Sequence, residues 1–464
     1  MTSGPSPLWT PDIGGSAGPI YKAIADAIAA DIAAGVLVPG QRLPTHRALA
    51  AELGVDLTTV TRAYGEARRR GLIDGTVGRG THVRGAPGAG DRPVPAEIDL
   101  SMNLPPQPAA AAVRERLAQA TAAVLRGADP ARLMTYRPGG GGAEDRAAGA
   151  AWLAPLLPGL PAERVLVCGG GQAALTALLT TLARCGDTVL AERVTYPGFR
   201  AAAAQLGLRV EGVAMDGDGL LPDALEEAVA RHQPRALYTV PTIHNPTTAT
   251  MPAARRAAVA AVLRRHALPV IEDDAYGALP PAPLAPLAAL VPDLVWYLAT
   301  LSKSLLPGLR IAYLVAPDAA RAARAGTALR ATAQMAPPLS AAIATRWIRD
   351  GTAHAIRDAV RAESTARQDL ARRLLPPGSF DAHPQGHHLW LRLSAPWTAT
   401  AFAGEVRRSG LAVVPDSAFT TGTPEGRALR LSLGAAPDRD TLHAALTRIA
   451  TTLARDADAL AEIV

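Results

Sequence analysis

The strongest constraint on the fold is a series of short apolar runs that alternate with alanine-rich stretches between residues 165 and 315. The runs read RVLVC, TVLAE, LRVEGV, RALYTV, LPVIED, DLVWYLA and RIAYLV. Continuous apolar strands separated by helices are typical of a mostly parallel sheet that helices cover on both faces. We therefore predict an α/β fold built on such a sheet.

The composition changes sharply at the segment GAPGAGDRPVPA, residues 85–96. Gly, Pro and Ala with few apolar anchors predict a flexible, partly extended linker. Near the C-terminus, HHLWLRL, LAVVP and ALRLSL predict the strands of a small α+β unit. We predict five segments: a disordered tail (1–17), a compact domain (18–84), a linker (85–97), a large domain (98–345) and a small C-terminal domain (346–464).

The segment before the linker has the spacing of a helix-turn-helix. Isoleucines recur every four residues from Ile20 to Ile32, which predicts an amphipathic helix. The stretch LPTHRALAAELGVDLTTVTRAYGEARRRG predicts two further helices, with Thr45 and Asp56 as their N-caps. The stretch LIDGTVGRGTHV predicts a two-stranded wing with Arg79 at its tip, where an exposed cation suits DNA phosphate or the minor groove.

This whole stretch resembles the winged helix-turn-helix of GntR-type transcription factors, including GQRLPTHRALAAELGV and GRGTHV. The resemblance implies double-stranded DNA as a partner, with the second helix of the motif in the major groove. The residues that match DNA-contacting positions, or are further candidates, are Arg47, Thr58, Thr59, Arg79, Arg42 and Arg62. Leu57 and Thr61 stand where some relatives carry arginines, so base recognition shifts toward threonine hydroxyls, that of Thr61 included. The alternative interpretation is a small helical dimerisation module.

Lysine is almost absent from the chain. Among 47 Lys plus Arg, the two lysines are Lys22 and Lys303, so arginine serves wherever charge alone is needed. Arginine cannot be deprotonated, whereas a primary amine can be, and it can then form a Schiff base with a carbonyl group. Lys303 follows an apolar strand in ATLSKSLLPGLR, which makes it a candidate for this chemistry. Lys22 is interpreted as a surface lysine.

The groups that a pyridine aldehyde cofactor requires follow several of the predicted strands. Such a cofactor needs an amine, a carboxylate for the ring nitrogen, donors to the phenolic oxygen, an aromatic face and a phosphate cradle. The candidates lie in SKS, VIEDDAYG, IHNPTT, ERVTYPGF and VCGGGQAAL. Singly, each motif also fits a tight turn or a surface charge. Together they lie at the C-terminal ends of predicted strands, where open α/β sheets bind ligands.

From about Ile98 onward the chain resembles fold-type I aminotransferases of class I/II, and the two-part chain resembles the MocR subgroup of GntR regulators. The resemblance implies pyridoxal 5′-phosphate as the cofactor, with Lys303 forming the Schiff base and Asp273, rather than Asp274, pairing with the ring nitrogen. It also implies roles for Asn245 and Tyr276 (phenolic oxygen), Tyr196 (ring stacking), Gly171, Gln172, Thr300, Ser302 and Arg310 (phosphate), Tyr136 (phosphate of the neighbouring subunit) and Arg430 (substrate carboxylate).

Three functions remain open at this point. The first is a transcription regulator whose aminotransferase-like part binds the cofactor, and an amino compound as effector, and biases DNA binding. The second is an active aminotransferase that carries a DNA-binding domain, because Lys303, Asp273, Tyr276 and Arg430 are all present. A sensor of the cofactor alone is a third. We favour the regulator because a winged helix-turn-helix has no role in transamination. The resemblance further implies a homodimer.

The composition also indicates the compartment and the partners to be expected. A formal net charge of +6 and a pI of about 9.7 permit nucleic-acid binding without requiring it. Cys168 and Cys185 have apolar surroundings and no metal-ligand spacing, as expected of buried free thiols in a reducing compartment. The N-terminal residues lack a signal-peptide pattern, and no apolar run reaches membrane-spanning length. We expect a cytoplasmic protein without a bound metal or membrane contact.

Overall fold

The computed structural model describes residues 9–13, 19–38, 41–70, 72–76, 80–83, 98–127, 129–137 and 139–454. These residues fall into two compact units, Met1–Ala96 and Glu97–Val464, which we call the N-terminal and C-terminal units. The predicted linker, 85–97, lies outside the described residues. Arg79 also lies outside them.

The N-terminal unit contains a helix-turn-helix and a two-stranded ribbon, as predicted. Its elements are α1 (Ile20–Ala33), α2 (His46–Leu53), α3 (Leu57–Arg69), β1 (Ile73–Thr76) and β2 (Gly80–Val83). β1 and β2 pair antiparallel. Ile24 and Ile28 of α1 are fully buried, whereas Ile20 is 47% exposed. The predicted isoleucine face therefore does not extend to the first turn of α1.

The N-caps of α2 and α3 confirm the sequence prediction. The Thr45 hydroxyl accepts a hydrogen bond from the Ala48 N–H over 3.2 Å, and an Asp56 carboxylate oxygen accepts one from the Thr58 N–H over 2.7 Å. Between the helices, Gly54 has φ +62°, a left-handed conformation that costs glycine little. Capping and glycine together fix the turn between the two helices.

The predicted disordered tail needs a correction over residues 9–13. The Trp9 indole N–H donates to Asp31 of α1 over 2.8 Å, and Trp9 and Ile13 pack against the core of the N-terminal unit. An indole buries a large apolar surface and needs a partner for its N–H. Asp31 supplies that partner, so this short segment is part of the folded unit.

The C-terminal unit is built of alternating strands and helices. Its first and larger part contains β3 (Ile98–Asp99), α4 (Val113–Gly127), α5 (Pro130–Leu133), α6 (Ala143–Leu153), β4 (Val165–Cys168), α7 (Gly171–Leu182), β5 (Thr188–Glu192), α8 (Pro197–Gln205), β6 (Arg209–Val213), β7 (Met215–Asp216), β8 (Gly219–Leu220), α9 (Pro222–His232), β9 (Ala236–Thr239), α10 (Ala253–His266), β10 (Val270–Asp273), α11 (Leu287–Leu290), β11 (Val295–Thr300), β12 (Ala312–Val315), α12 (Ala319–Ala333) and α13 (Pro338–Arg349). The seven strands predicted between residues 165 and 315 are all present.

These seven strands form one sheet in the order β4-β12-β11-β10-β9-β5-β6. The pairs from β11 to β6 are parallel, and β12 is antiparallel to both of its neighbours. Successive residues of β4 alternate between two apolar clusters: Val165 and Val167 pack in one, Leu166 and Cys168 in the other. Side chains alternate across a strand, so the sheet is buried on both faces as the continuous apolar runs predicted.

The remainder of the C-terminal unit forms a smaller α+β layer, as predicted. Its elements are α14 (Thr352–Leu374), β13 (Phe380–Ala382), β14 (His388–Arg392), α15 (Ala399–Arg408), β15 (Leu411–Ala412), β16 (Val414–Pro415), β17 (Ala428–Ser432) and α16 (Arg439–Leu453). The four-stranded sheet has the order β13-β14-β17-β16 and is antiparallel. β3 pairs with β15 in parallel, so the first described residues after the linker join this layer.

The boundary between the two layers lies within α14. Ile356 and Val360 of this helix pack in the core of the larger layer, whereas Leu370 and Ala371 pack in that of the smaller one. A boundary after residue 345 would cut α13 (Pro338–Arg349). A helix that is apolar at both ends belongs to both layers.

Two further findings concern the predicted cellular setting. Cys168 is buried as predicted, but Cys185 is exposed, because it lies beyond α7 at the start of a turn. Within the described ranges, no helix combines the length and the apolar character that crossing a membrane requires.

Candidate functional site

The candidate ligand site lies where four neighbouring strands of the large sheet end. Lys303 follows β11, Asp273 ends β10, Asn245 follows β9 and Tyr196 follows β5. These strands are adjacent and parallel. Their carboxyl ends therefore meet at one edge, which brings together residues that are far apart in sequence.

Lys303 lies among charged groups inside this site. Its amine donates a hydrogen bond to the main-chain oxygen of Asn103. Desolvation, together with the nearby Arg430 guanidinium, lowers the pKa of Lys303 to about 8, although Asp273 opposes the shift. The amine is therefore neutral at a lower pH than an ordinary lysine. Lys22 is exposed on α1, in agreement with its interpretation as a surface residue.

Asp273 faces Lys303, and its neighbour Asp274 does not. Tyr238 donates its hydroxyl proton to Asp273 over 2.8 Å, and Tyr297 donates to Asp274 over 2.7 Å. Desolvation and the charge of Asp274 raise the pKa of Asp273 to about 6, while Tyr238 and Lys303 act in the opposite direction. Because side chains alternate along a strand, the two carboxylates serve opposite sides of β10.

Arg430 is held over the site by three contacts. Its guanidinium donates to the Asn245 side-chain oxygen over 2.9 Å and to the main-chain oxygen of Ser101. The guanidinium carbon lies 4.9 Å from the centre of the Phe419 ring. Arg430 is 7% exposed, and its Nε is buried with no hydrogen-bond partner in the described part of the chain. An oriented, desolvated guanidinium is suited to pair with a carboxylate.

The N-terminal end of α7 forms a cradle of hydrogen-bond donors. The turn before this helix contains Gly170 at φ +96°, and a Cβ there would lie 2.7 Å from a guanidinium nitrogen of Arg310. Gly171 and Gln172 open the helix. The Thr300 hydroxyl donates to the Ser302 hydroxyl over 2.8 Å. Free N–H groups at a helix start, with an arginine beside them, favour a bound phosphate.

Tyr196 supplies an aromatic face next to this cradle. Its hydroxyl lies 3.5 Å from the Gln172 side-chain oxygen, and the Gln172 amide donates to the Gly198 carbonyl over 2.8 Å. A Cβ on Gly198 would lie 2.3 Å from the Tyr196 ring, so glycine there is required by the position of the ring. Burial raises the pKa of Tyr196.

Tyr136 is the predicted site residue that this chain does not bring to the others. It is 80% exposed, and no hydrogen bond joins it to the site within the described ranges. Its expected role concerns the phosphate of a neighbouring subunit, which a single chain leaves untested. That role therefore stays a prediction.

The structure adds residues that the sequence interpretation missed. Asn103 donates to the Tyr276 hydroxyl over 2.6 Å, and Tyr238 contacts Asp273. His387 and His388 are buried beside the site, where His387 Nε2 lies 2.7 Å from the main-chain oxygen of Lys303. The consecutive histidines before an apolar strand were the available signal. No local sequence signal marked Asn103, because its contact with Lys303 joins residues 200 positions apart.

The predicted DNA-contacting residues lie mainly on the exposed surface of the N-terminal unit. Arg42, Arg47, Thr58, Thr61 and Arg62 are exposed, and Thr59 is half-buried. The Arg62 guanidinium carbon lies 4.5 Å from the centre of the Tyr21 ring. Arg62 therefore makes a cation–π contact with Tyr21 inside the N-terminal unit.

Two of the threonine hydroxyls are already committed as donors. Thr58 donates to the Asp56 carboxylate, and Thr61 donates to the Leu57 carbonyl over 2.9 Å. The Thr58 oxygen keeps its lone pairs for a donor from outside, whereas the Thr61 oxygen also lies 3.2 Å from His46 Nδ1. The exposed Thr58 hydroxyl is therefore available as an acceptor.

Comparisons with known proteins agree with this architecture. Residues 20–83 match the gntR family of bacterial regulatory proteins, and residues 95–449 match aminotransferase class I and II. The uncharacterized HTH-type transcriptional regulator YdeF of Bacillus subtilis is 30% identical over 434 residues, 92% of each chain. The vitamin B6 salvage pathway transcriptional repressor PtsJ of Salmonella typhimurium is 29% identical and covers 92% of this chain and 98% of its own.

A solved structure shares the fold of most of this chain. The alpha-aminoadipate aminotransferase LysN of Thermus thermophilus, complexed with N-(5′-phosphopyridoxyl)-L-leucine, superposes with a TM-score of 0.71 at 27% identity, over 86% of this chain and 100% of that chain. The chain therefore belongs to the aminotransferase class I and II family and, with its gntR-family domain, to the transcriptional regulators of the MocR type.

Proposed function

We propose that the protein is a DNA-binding regulator whose C-terminal unit binds pyridoxal 5′-phosphate and responds to an amino compound. The main observation behind this proposal concerns Lys303. It is one of two lysines in the chain, it lies near Asp273 and Arg430, and its pKa is lowered to about 8. A Schiff base requires a neutral amine, which an arginine in this position could not provide.

The residues of the site fit this cofactor on two grounds. Arg310 and the start of α7 surround Gly170 with donors, in a cradle that a Cβ would fill. Close by, the Asn103 Oδ1 and Arg430 Nε are buried polar atoms without partners in the described part of the chain. Buried polar atoms are usually paired, and a bound polar ligand would satisfy them.

Each group has a distinct task in the proposal. Asp273 keeps the ring nitrogen of the cofactor protonated, and Tyr196 stacks on the ring. The oxygen of the Asn245 amide is held by Arg430, which leaves its NH₂ group to donate to the phenolic oxygen, with Tyr276 as the second donor. When bound, the cofactor supplies an electron sink.

The phosphate and the ligand carboxylate are assigned to separate cations. The phosphate contacts are Gly171, Gln172, Thr300, Ser302 and Arg310. The carboxylate of an amino compound pairs with Arg430, whose two terminal nitrogens already donate in fixed directions. This separation selects ligands that carry both an amino group and a carboxylate.

The N-terminal unit binds double-stranded DNA in this proposal. The exposed Arg42 and Arg47 are assigned to phosphates and the threonines of α3 to base edges. Arg79 is assigned to DNA by its resemblance alone, since it lies outside the described residues.

The protein is also proposed to act as a homodimer in which Tyr136 completes the neighbouring site. The exposure of Tyr136 supports this assignment. Sedimentation velocity tests the dimer. A purely monomeric species in the cofactor-loaded protein would contradict it.

An active aminotransferase is the second candidate function. The observation in its favour is that one site brings together Lys303, Asp273, Tyr276 and Arg430. The similar solved structure, LysN, is described as an alpha-aminoadipate aminotransferase. The regulator is preferred because the helix-turn-helix has no part in transamination.

The visible absorption spectrum of the full-length protein, followed during titration with amino acids and amines, separates these functions. A yellow band that is lost in Lys303→Ala supports the cofactor assignment. A band that shifts with one ligand and persists identifies a regulator and its effector. Bleaching that a keto acid reverses makes the enzyme the better description, and indifference to every ligand indicates a sensor of the cofactor alone. No band with added cofactor contradicts the role of Lys303.

A further inference from the structure

A buried series of hydrogen bonds links His244, His388, Asn103 and Tyr276 in that order. His388 Nε2 lies 3.1 Å from the His244 carbonyl oxygen, and His388 Nδ1 lies 3.2 Å from the Asn103 side-chain nitrogen. The same nitrogen donates to the Tyr276 hydroxyl over 2.6 Å. His388 is 0% and Asn103 9% exposed. His388 has no assigned role in the proposed function, and Asn103 enters it only through its side-chain oxygen.

The His244 carbonyl fixes the direction of every hydrogen bond in this series. A carbonyl oxygen can only accept, so His388 Nε2 must carry the proton that it donates to His244. Burial and the nearby Arg430 lower the pKa of His388 well below its usual value, so the ring is neutral and Nδ1 is an acceptor. Asn103 therefore turns its NH₂ group toward His388, and its second N–H donates to the Tyr276 oxygen.

We infer that Asn103 and His388 are positioning residues that hold the Tyr276 hydroxyl as a donor toward the ligand site. The Tyr276 oxygen accepts a hydrogen bond from an Asn103 N–H. The hydroxyl proton of Tyr276 is therefore directed away from Asn103. Among the described contacts, this proton has no acceptor within the chain. The inference rests on the proposed function, in which Tyr276 donates to the phenolic oxygen of pyridoxal 5′-phosphate.

This arrangement has a measurable consequence. A hydrogen bond donated to an anionic oxygen favours the anionic form. The NH₂ group of Asn103 and the His388 ring thus act on the protonation of the bound cofactor through the orientation of Tyr276, and not by contact with the cofactor. A purely structural role in packing would alter stability but would not act on that protonation through Tyr276.

Asn103→Asp is the most informative substitution, because it keeps the shape of the side chain and replaces the donor by an acceptor. Tyr276 would then donate to the new carboxylate instead of the cofactor. The measurement is the visible absorbance of the full-length protein saturated with pyridoxal 5′-phosphate, titrated with pH. We expect the titration midpoint to rise by roughly one pH unit.

His388 provides a second, independent pair of variants. His388→Leu removes the acceptor that orients Asn103, and we expect a midpoint shift in the same direction. His388→Gln retains both an acceptor and a donor, and we expect it to restore most of the original midpoint. Equal midpoints in these two variants and the unmodified protein would overturn the inference. Far-UV circular dichroism verifies that each variant is folded.

A double-mutant cycle separates the hydrogen bond from the new charge. In a Tyr276→Phe background, Asn103→Asp retains only the electrostatic part of its shift, so the shift is expected to be smaller there. An identical shift in both backgrounds contradicts the inference. If Asn103→Asp does not fold, Asn103→Ala replaces it in the cycle. Absence of any band in the unmodified protein would instead count against the proposed function itself.

Discussion

The two units of the chain present their candidate functional residues in opposite ways. In the N-terminal unit, Arg42 and Arg47 are exposed, whereas in the C-terminal unit Asn245 and Arg430 are each 7% exposed. Exposed charges act through screened electrostatics, and buried groups act through desolvated, hydrogen-bonded geometry. We therefore expect DNA binding to depend on salt and to lose affinity in small steps. Ligand binding should fail abruptly when one buried group is removed.

The largest effect is expected for Arg430→Ala. Truncating one member of a buried charge pair costs about 2–5 kcal/mol, so the affinity for an amino acid that shifts the visible spectrum should fall at least ~30-fold. Spectral titration measures this loss. The matched control is Arg392→Ala, an exposed arginine at the end of the neighbouring strand β14, which should keep its affinity. Equal losses in both variants would refute the role of Arg430.

The pH dependence of cofactor uptake gives the next largest effect. The pKa of Lys303 is lowered to about 8, and only the neutral amine reacts. Below pH 8 the uptake rate should therefore rise about tenfold per pH unit, and above pH 8 it should become constant. Stopped-flow absorbance with pyridoxal 5′-phosphate follows the rate. A rate that keeps rising to pH 10 would show that Lys303 behaves as an ordinary exposed lysine.

Arg47→Ala should weaken DNA binding gradually and leave the cofactor spectrum unchanged. Each lost phosphate contact reduces the slope of log K against log salt by about 0.9. Fluorescence anisotropy at several salt concentrations provides that slope. Lys22→Ala removes an exposed cation of α1 and serves as the control. The assignment fails if Lys22→Ala has the same effect as Arg47→Ala.

The smallest expected effect is a change in the thermal stability of one unit at a time. Thr45 caps α2 in the N-terminal unit, and Thr398 caps α15 in the C-terminal unit, each through a hydroxyl that accepts an N–H over 3.2 Å. Replacing such a cap by alanine costs about 1 kcal/mol. Calorimetry should show that Thr45→Ala lowers the transition of the first unit alone and Thr398→Ala that of the second. A common shift of one transition would mean that the units unfold together.

The sequence alone determined the architecture and the edge of the sheet where the site lies. Apolar runs fix strands, and parallel strands place their carboxyl ends together, so the sequence predicts that Lys303, Asp273, Asn245 and Tyr196 are neighbours. The same local rules located the N-cap of α2 at Thr45.

The tertiary structure decided what depends on distant parts of the chain. Asn103 and His388 meet across 285 residues, and no local pattern marks either as a partner of Tyr276. The layer boundary within α14 (Thr352–Leu374) and the exposure of Cys185 likewise follow from packing. Local propensity and periodicity act over a few residues, whereas hydrogen-bond partners in a buried site are chosen by the whole fold. For that reason the sequence predicted the reacting groups, and only the structure revealed the residues that orient them.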